Sequence, residues 1–185
     1  MESKSKAEYN GLLTSLRGGI SDVDIDLNYT LSRCESDRAI GRGVGSPPNP
    51  NQSFHNPQTR DRGRCASDRR HLINLTLVAM TPQFERSALR IAASNWRVSG
   101  LYRWASGTPL TILSGADWAR TGQGGQTANQ ISDDIYLDES GDFGSQFLNR
   151  AAFATPAIGS YGTTVMDQFD GFGQWSLDMA LSRVF

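Results

Sequence analysis

Gly173-Gln174-Trp175-Ser176-Leu177-Asp178-Met179-Ala180-Leu181-Ser182-Arg183-Val184-Phe185 is the stretch whose reading decides the fold. Trp175, Leu177, Met179 and Leu181 are apolar at every second position, with Gln174, Ser176, Asp178, Ala180 and Ser182 between them. A period of two puts these sets on opposite faces of a strand. One face suits hydrocarbon and the other suits water. Trp175 to Phe185 is ten steps, and at ~3.3 Å per step with a tilt of ~40° the rise is roughly 25 Å. That matches the apolar band of a membrane, with an aromatic residue at each margin. A strand of a soluble β-sandwich is the competing reading, and the rest of the chain must choose.

The 185 residues carry 18 Lys+Arg against 19 Asp+Glu, a formal charge of -1. This balance gives no support to a nucleic-acid partner. Hydrophobic residues make up only 38%, poor for a soluble domain and expected for a membrane barrel wall with a polar lumen. No run of about 18 apolar residues exists, so no membrane helix is expected. Met1 to Lys6 is polar and lacks the apolar core of an export signal. Either the true N-terminus is missing or the membrane reading is wrong. Cys34 and Cys65 lie in one polar segment. In an oxidising compartment they suggest one disulfide; two free thiols are the alternative.

Working outward, a first strand is expected over 9–17, with Leu12, Thr14 and Leu16 toward lipid and Leu13 breaking the pattern. Gly18 to Asp22 reads as a turn. The second strand, 23–33, alternates Val23, Ile25, Leu27, Tyr29 and Leu31 with Asp24, Asp26, Asn28, Thr30 and Ser32. Residues 34–70 carry no period and several Gly and Pro, and read as one long loop. The third strand, 71–81, turns Ile73, Leu75, Leu77 and Ala79 to lipid and Asn74, Thr76 and Val78 inward. Pro82 ends it, and the connection through Ser94 has room for a helical turn. The fourth strand, 95–105, gathers Trp96, Val98, Gly100, Tyr102 and Trp104 on one face, with Arg97, Ser99 and Arg103 on the other. A second loop spans 106–172, in which Pro109 to Leu113 extends the fourth strand or forms a short one and Thr121 to Gln126 is irregular. The last strand is 173–185.

The fold class expected is therefore all-β: an antiparallel transmembrane β-barrel segment of about five strands with two long outer loops, too few strands to close a barrel. The topology is consistent. If the first turn is periplasmic, both long loops fall outside the cell and the C-terminus returns to the periplasm. Asp24, Asp26, Asn28, Arg97 and Arg103 would face the lumen.

Several segments carry a family resemblance: Tyr9-Asn10-Gly11-Leu12, Asn28-Tyr29-Thr30-Leu31-Ser32, Asp68-Arg69-Arg70-His71, Trp96-Arg97-Val98-Ser99-Gly100, Ser106-Gly107-Thr108-Pro109-Leu110-Thr111, Phe147-Leu148-Asn149-Arg150-Ala151-Ala152-Phe153 and Ser182-Arg183-Val184-Phe185. In this order they resemble the C-terminal barrel of TonB-dependent receptor-like proteins of the bacterial outer membrane, and within them the Oar-like class. The resemblance runs from about Tyr9 to Phe185. It implies energy-coupled uptake of a large solute. It also implies a signal sequence, a plug, a TonB-contacting segment and about twenty-two strands. This chain is then expected to be the C-terminal piece. Its partners would be outer-membrane lipid, the remaining barrel and plug, and TonB through that missing part. Trp175, Leu177, Met179, Leu181 and Phe185 resemble the signal read by the barrel-assembly machinery.

Other chemistry is thinner. Asp24, Asp26 and Asn28 could hold a cation or a polar solute; plain lumen solvation is the competing reading. Arg60, Arg62, Arg64, Arg69 and Arg70, beside Asp61 and Asp68, could meet an anion or neutralise one another. Asp133, Asp134, Asp138, Glu139 and Asp142 offer oxygens of the kind calcium takes, without EF-hand spacing. His55 or His71 with Ser53 or Ser67 could suggest a hydrolase, but no Gly-x-Ser-x-Gly elbow exists. Gly41-Arg42-Gly43-Val44-Gly45 lacks the strand–helix context of a nucleotide loop. Asn28, Asn51 and Asn74 match the glycosylation triplet, two of them in expected membrane strands. Neither enzyme activity nor a cofactor is expected. An adhesion or structural barrel and a soluble β-sandwich binding module remain as rival readings.

Overall fold

The alternation in the sequence becomes pairing in the computed structural model, which describes residues 7–36, 62–122, 124–137 and 147–183. The strands are β1 (Ala7–Ile20), β2 (Val23–Ser36), β3 (Gly63–Arg64), β4 (His71–Met80), β5 (Trp96–Ala105), β6 (Pro109–Leu110), β7 (Asn129–Gln130), β8 (Phe153–Ala154), β9 (Phe169–Asp170) and β10 (Gln174–Arg183). Among the described residues a helix, α1 (Ser87–Ala93), precedes β5, and a 3-10 turn, Arg150–Ala152, precedes β8. The chain divides into two units. One comprises Tyr9–Arg33, Asp68–Thr108 and Gly171–Phe185; the other comprises Met1–Glu8, Cys34–Ser67 and Pro109–Asp170.

The first unit is a meander in the order β1-β2-β4-β5-β10. Register sorts the side chains. Leu27 pairs Leu75, which pairs Tyr102, which pairs Leu177. One residue away, Asn28 pairs Asn74, Asn74 pairs Arg103 and Arg103 pairs Ser176. Opposite residues of an antiparallel pair share a face, so every rung is all on one side. The sheet is open: β1 and β10 are its edges, and five strands are below the roughly eight that close a barrel.

Several boundaries differ from the sequence expectation. β2 runs past the expected end at Arg33 to Ser36, and β3 pairs with it inside the expected 34–70 loop. β1 continues through Gly18, Gly19 and Ile20, so the turn is only Ser21-Asp22. Two-residue hairpin loops favour left-handed backbone, and Ser21 has φ +53. Gly19 lies where a side chain would meet the Asp24 carboxylate, 2.6 Å from Oδ1. Gly19 thus serves strand packing rather than the turn. The connection after β4 holds a helix of two turns, α1, and Asn95 at φ +60 redirects the chain into β5.

The second unit replaces much of the expected 106–172 loop with short pairings. Leu110 pairs Phe169, Gln130 pairs Phe153, and single bridges join Leu113 to Thr127 and Tyr136 to Leu148. Pro109-Leu110 is thus a short strand of its own. Apolar filling is slight: Ala128, Ala152, Met166 and Phe169 are buried, with Phe153 edge-on to Phe169 at 5.2 Å. Hydrogen bonds do the rest. Thr127 Oγ1 donates to the Thr164 carbonyl at 2.7 Å, and Thr164 Oγ1 donates to the Ala128 carbonyl at 2.8 Å. At the other end, β3 pairs the tip of β2, and Cys34 and Cys65 form a disulfide with Cα atoms 5.3 Å apart.

Gly162 packs directly on this polar core. A methyl group there would strike the Thr127 carbonyl oxygen and come within 2.5 Å of the Ala128 oxygen. We therefore expect Gly162→Ala to destabilise the unit by about 1–3 kcal/mol, the range for overpacking. Limited proteolysis should then cut within 109–170 faster than in the parent protein; equal rates would disprove the close approach.

Candidate functional site

The chemistry of the sheet is its two faces. On the polar face, Arg17 Nε donates to Asp26 Oδ2 at 2.7 Å, Asn28 Nδ2 donates to Asp26 Oδ1 at 2.6 Å, and Ser15 Oγ donates to Asn28 Oδ1 at 2.8 Å. Asp26 is thereby committed to a guanidinium, and Asp24, Asp26 and Asn28 do not form an open cation cradle. The same ladder puts Leu12, Thr14 and Leu16 on the other face and Leu13 on this one. Arg97 pairs Met80 and Ser182, and Arg103 pairs Asn74 and Ser176, so both belong with Asp24, Asp26 and Asn28; both are exposed.

The opposite face is apolar and open. Trp175, Leu177, Met179 and Leu181 are 70%, 52%, 69% and 64% exposed. Exposure of this size in contiguous rows marks an interaction surface. At one margin Tyr29 Oη meets His71 Nδ1 at 2.8 Å, the His71 ring lies 6.4 Å from that of Trp104, and Trp104 pairs Trp175. At the other, the Arg183 guanidinium sits 5.4 Å from the Trp96 ring centroid. Tryptophan and tyrosine at both margins of an apolar band form the aromatic girdles of a transmembrane sheet. His71 serves one of these girdles. Val184 and Phe185 lie outside the described residues, so of the assembly-signal residues only Trp175, Leu177, Met179 and Leu181 are placed.

Arg62, Arg64 and Arg69 of the arginine cluster are each drawn to partners of their own. Arg62 bridges Glu8 at 3.3 Å and Glu35 at 3.2 Å, and Arg64 meets Asp170 at 2.5 Å. Arg69 belongs to the sheet unit, where it donates to the Ser106 carbonyl at 2.8 Å. Arg60, Asp61, His55, Ser53, Asn51 and Gly41 to Gly45 lie outside the described residues, as do Asp138, Glu139 and Asp142. Among the described residues no group of three or more His, Cys, Asp and Glu could hold a metal. Asp134 receives Asn149 Nδ2 on its backbone oxygen at 2.8 Å. Asp133 lines an open groove of about 460 Å³ with Gln130, Ile131, Ser132 and Thr163.

Asp117 is the polar centre that sequence reasoning missed. Its carboxylate accepts from the amides of Thr121 at 3.0 Å and Gly122 at 2.6 Å, and from Gln126 Nε2 at 2.5 Å. Gln126 is fully buried, and its Oε1 accepts the Ala119 amide at 2.9 Å. The glycine-rich segment is therefore wound around one carboxylate. The signal was an Asp followed five residues later by a Gly able to adopt φ +79. The Thr121 amide, then the Gly122 amide and Gln126, hold the Asp117 pKa below its usual 3.8, against the opposing effect of burial. A carboxyl group with a lowered folded-state pKa adds stability that is complete above the ordinary value and lost as pH falls below it. We expect amide-exchange protection at Thr121 and Gly122 to hold at neutral pH and to fail as pH drops below about 3.8. In Asp117→Asn it should already be weak at neutral pH; full protection in that variant would refute the role of the charge.

A family model described as an outer membrane beta barrel domain matches residues 1–185. No curated protein matches the chain. No solved structure matches it.

Proposed function

The chain belongs to the outer membrane beta barrel domain family, and from that premise we propose that it supplies wall and outer loops to a TonB-dependent receptor that imports a large solute. Its place is the bacterial outer membrane, crossed by β-strands. The observation that carries the reading is the sorting of side chains along the registered rungs, one face almost wholly apolar and the other holding the charged groups, with Leu13, Leu72, Val78 and Leu101 among them. The apolar rows face lipid. The polar rows, with Asp24, Asp26, Asn28, Arg97 and Arg103, line a lumen. An open five-stranded sheet needs further strands to close, and a large barrel leaves a lumen wide enough to require a plug. The TonB-dependent, Oar-like assignment rests on the resemblance of the ordered segments from Tyr9 to Phe185. On this reading the plug and the TonB-contacting segment are encoded upstream, the chain has no catalytic task, and the β10 end is its signal to the barrel-assembly machinery.

An adhesion barrel is the second reading. The bonded unit around Asp117 and Gln126, with its groove at Gln130 and Asp133, suits a loop that holds a partner. Sequencing the reading frame upstream of Met1 separates the two. Further alternating strands, a plug and a TonB-contacting segment are expected; a frame with strands but neither of the others would favour adhesion.

The assignment of faces has its own test. Met179→Arg places a cation on the lipid side near mid-band and is expected to cost about 2–4 kcal/mol. Ala180→Arg, on the lumen side and opposite Ser99, should be nearly neutral. The yield of protease-resistant protein in outer membranes reads both, and equal losses would sink the assignment.

A further inference from the structure

Helix α1 is held in an unusual way. Seven residues are too few to sustain a helix alone. Its last three carbonyls are each bonded by a side chain from outside the helix. The Arg183 guanidinium donates to Ile91 O, Trp96 Nε1 donates to Ala92 O at 2.8 Å, and Thr81 Oγ1 donates to Ala93 O at 2.7 Å. A cation at a helix C-terminus also complements the helix dipole. Arg183 pairs Trp96 in register, on the apolar face of the sheet. The helix is thus tied to the lipid-facing side of the sheet margin, at the end that carries the Ser21-Asp22 turn, where the Met80 amide bonds Asp22 O at 2.8 Å.

Nothing in α1 is buried. Leu89 and Ile91 are 44% and 71% exposed, and Arg86 and Arg90 are exposed beside one acid, Glu85. Three of the four C-terminal carbonyls that lipid would leave unsatisfied are already bonded. Apolar side chains flanked by cations, continuous with a lipid-facing sheet, have the composition of an interfacial helix.

We propose that α1 is a membrane-surface anchor: Leu89 and Ile91 enter the acyl boundary of the phospholipid leaflet at the turn end of the sheet, and Arg86 and Arg90 bind its headgroup phosphates. The anchor rests on the outer-membrane placement of the sheet and not on TonB coupling. It fixes the depth of the β4–β5 connection at the membrane surface.

The test uses outer membranes from cells carrying the protein. Hydroxyl-radical footprinting of the unsubstituted protein should oxidise Leu89 and Ile91 several-fold less than Ile158, and about as little as Leu177. Oxidation at the level of Ile158 overturns the proposal. Oxidation of Leu177 to the same level overturns the membrane placement with it, which separates the two failures. A fluorophore on Ile91→Cys should be quenched by phospholipid bearing a nitroxide near its headgroup and spared by aqueous iodide. Protection from water without quenching by lipid would mean that protein, such as a second copy of the chain, covers α1, and overturns the proposal. Arg86→Glu with Arg90→Glu in the same chain should reduce the lipid quenching several-fold; unchanged quenching overturns the phosphate contact. If Ile91→Cys does not assemble, the footprint alone decides.

Discussion

Hydrocarbon offers no hydrogen bonds, so a backbone that crosses it must bond to itself. The rest of the sheet follows from this. β4 is bonded on both sides, to β2 and to β5, and β5 in turn to β10. Once the ladder is continuous, side-chain parity is fixed for the whole sheet, because slipping any strand by one residue would turn its apolar set inward. Gly100 shows the economy of the arrangement. It pairs Leu77 and Met179 on the lipid side, so backbone bonding alone fixes its place in the ladder.

The second unit meets a different problem with different means. It has little apolar surface to hide, and its centre is built from side chains that bond backbone. Gln126, Thr127 and Thr164 are buried, and each reaches a main-chain or carboxylate partner. Asp117 gathers the turn that follows it around one charge. Such a centre is specific because each partner is needed; an unmatched buried group costs more than the bond it loses.

How far the sequence reveals this differs by element, for physical reasons. β2, β4, β5 and β10 were legible because a half-lipid, half-water environment writes itself as period two. β1 was legible only in part: Gly18 and Gly19 imitate a turn, while Gly19 leaves room beside Asp24. Of the second unit, only the short strand at Pro109 and the Cys34–Cys65 link were legible, since its other bonds join residues far apart, such as Thr127 to Thr164, with no periodic trace. The polar rungs show what sequence alone could not decide about Asp26, because its partner Arg17 comes from the neighbouring strand. Arg183 had a similar fate. It sits in the alternating run of β10, yet its guanidinium acts on the end of a helix ninety-two residues earlier.

The Cys34–Cys65 bond has a consequence for how the molecule withstands attack from outside. It turns the intervening chain into a covalent ring, with 31 positions of sequence separation between its ends. A single cut inside that ring opens it but releases nothing, because each new end stays tied to its half of the protein through sulfur. The strands on either side, β2 and β4, then remain partners within one molecule rather than fragments of two.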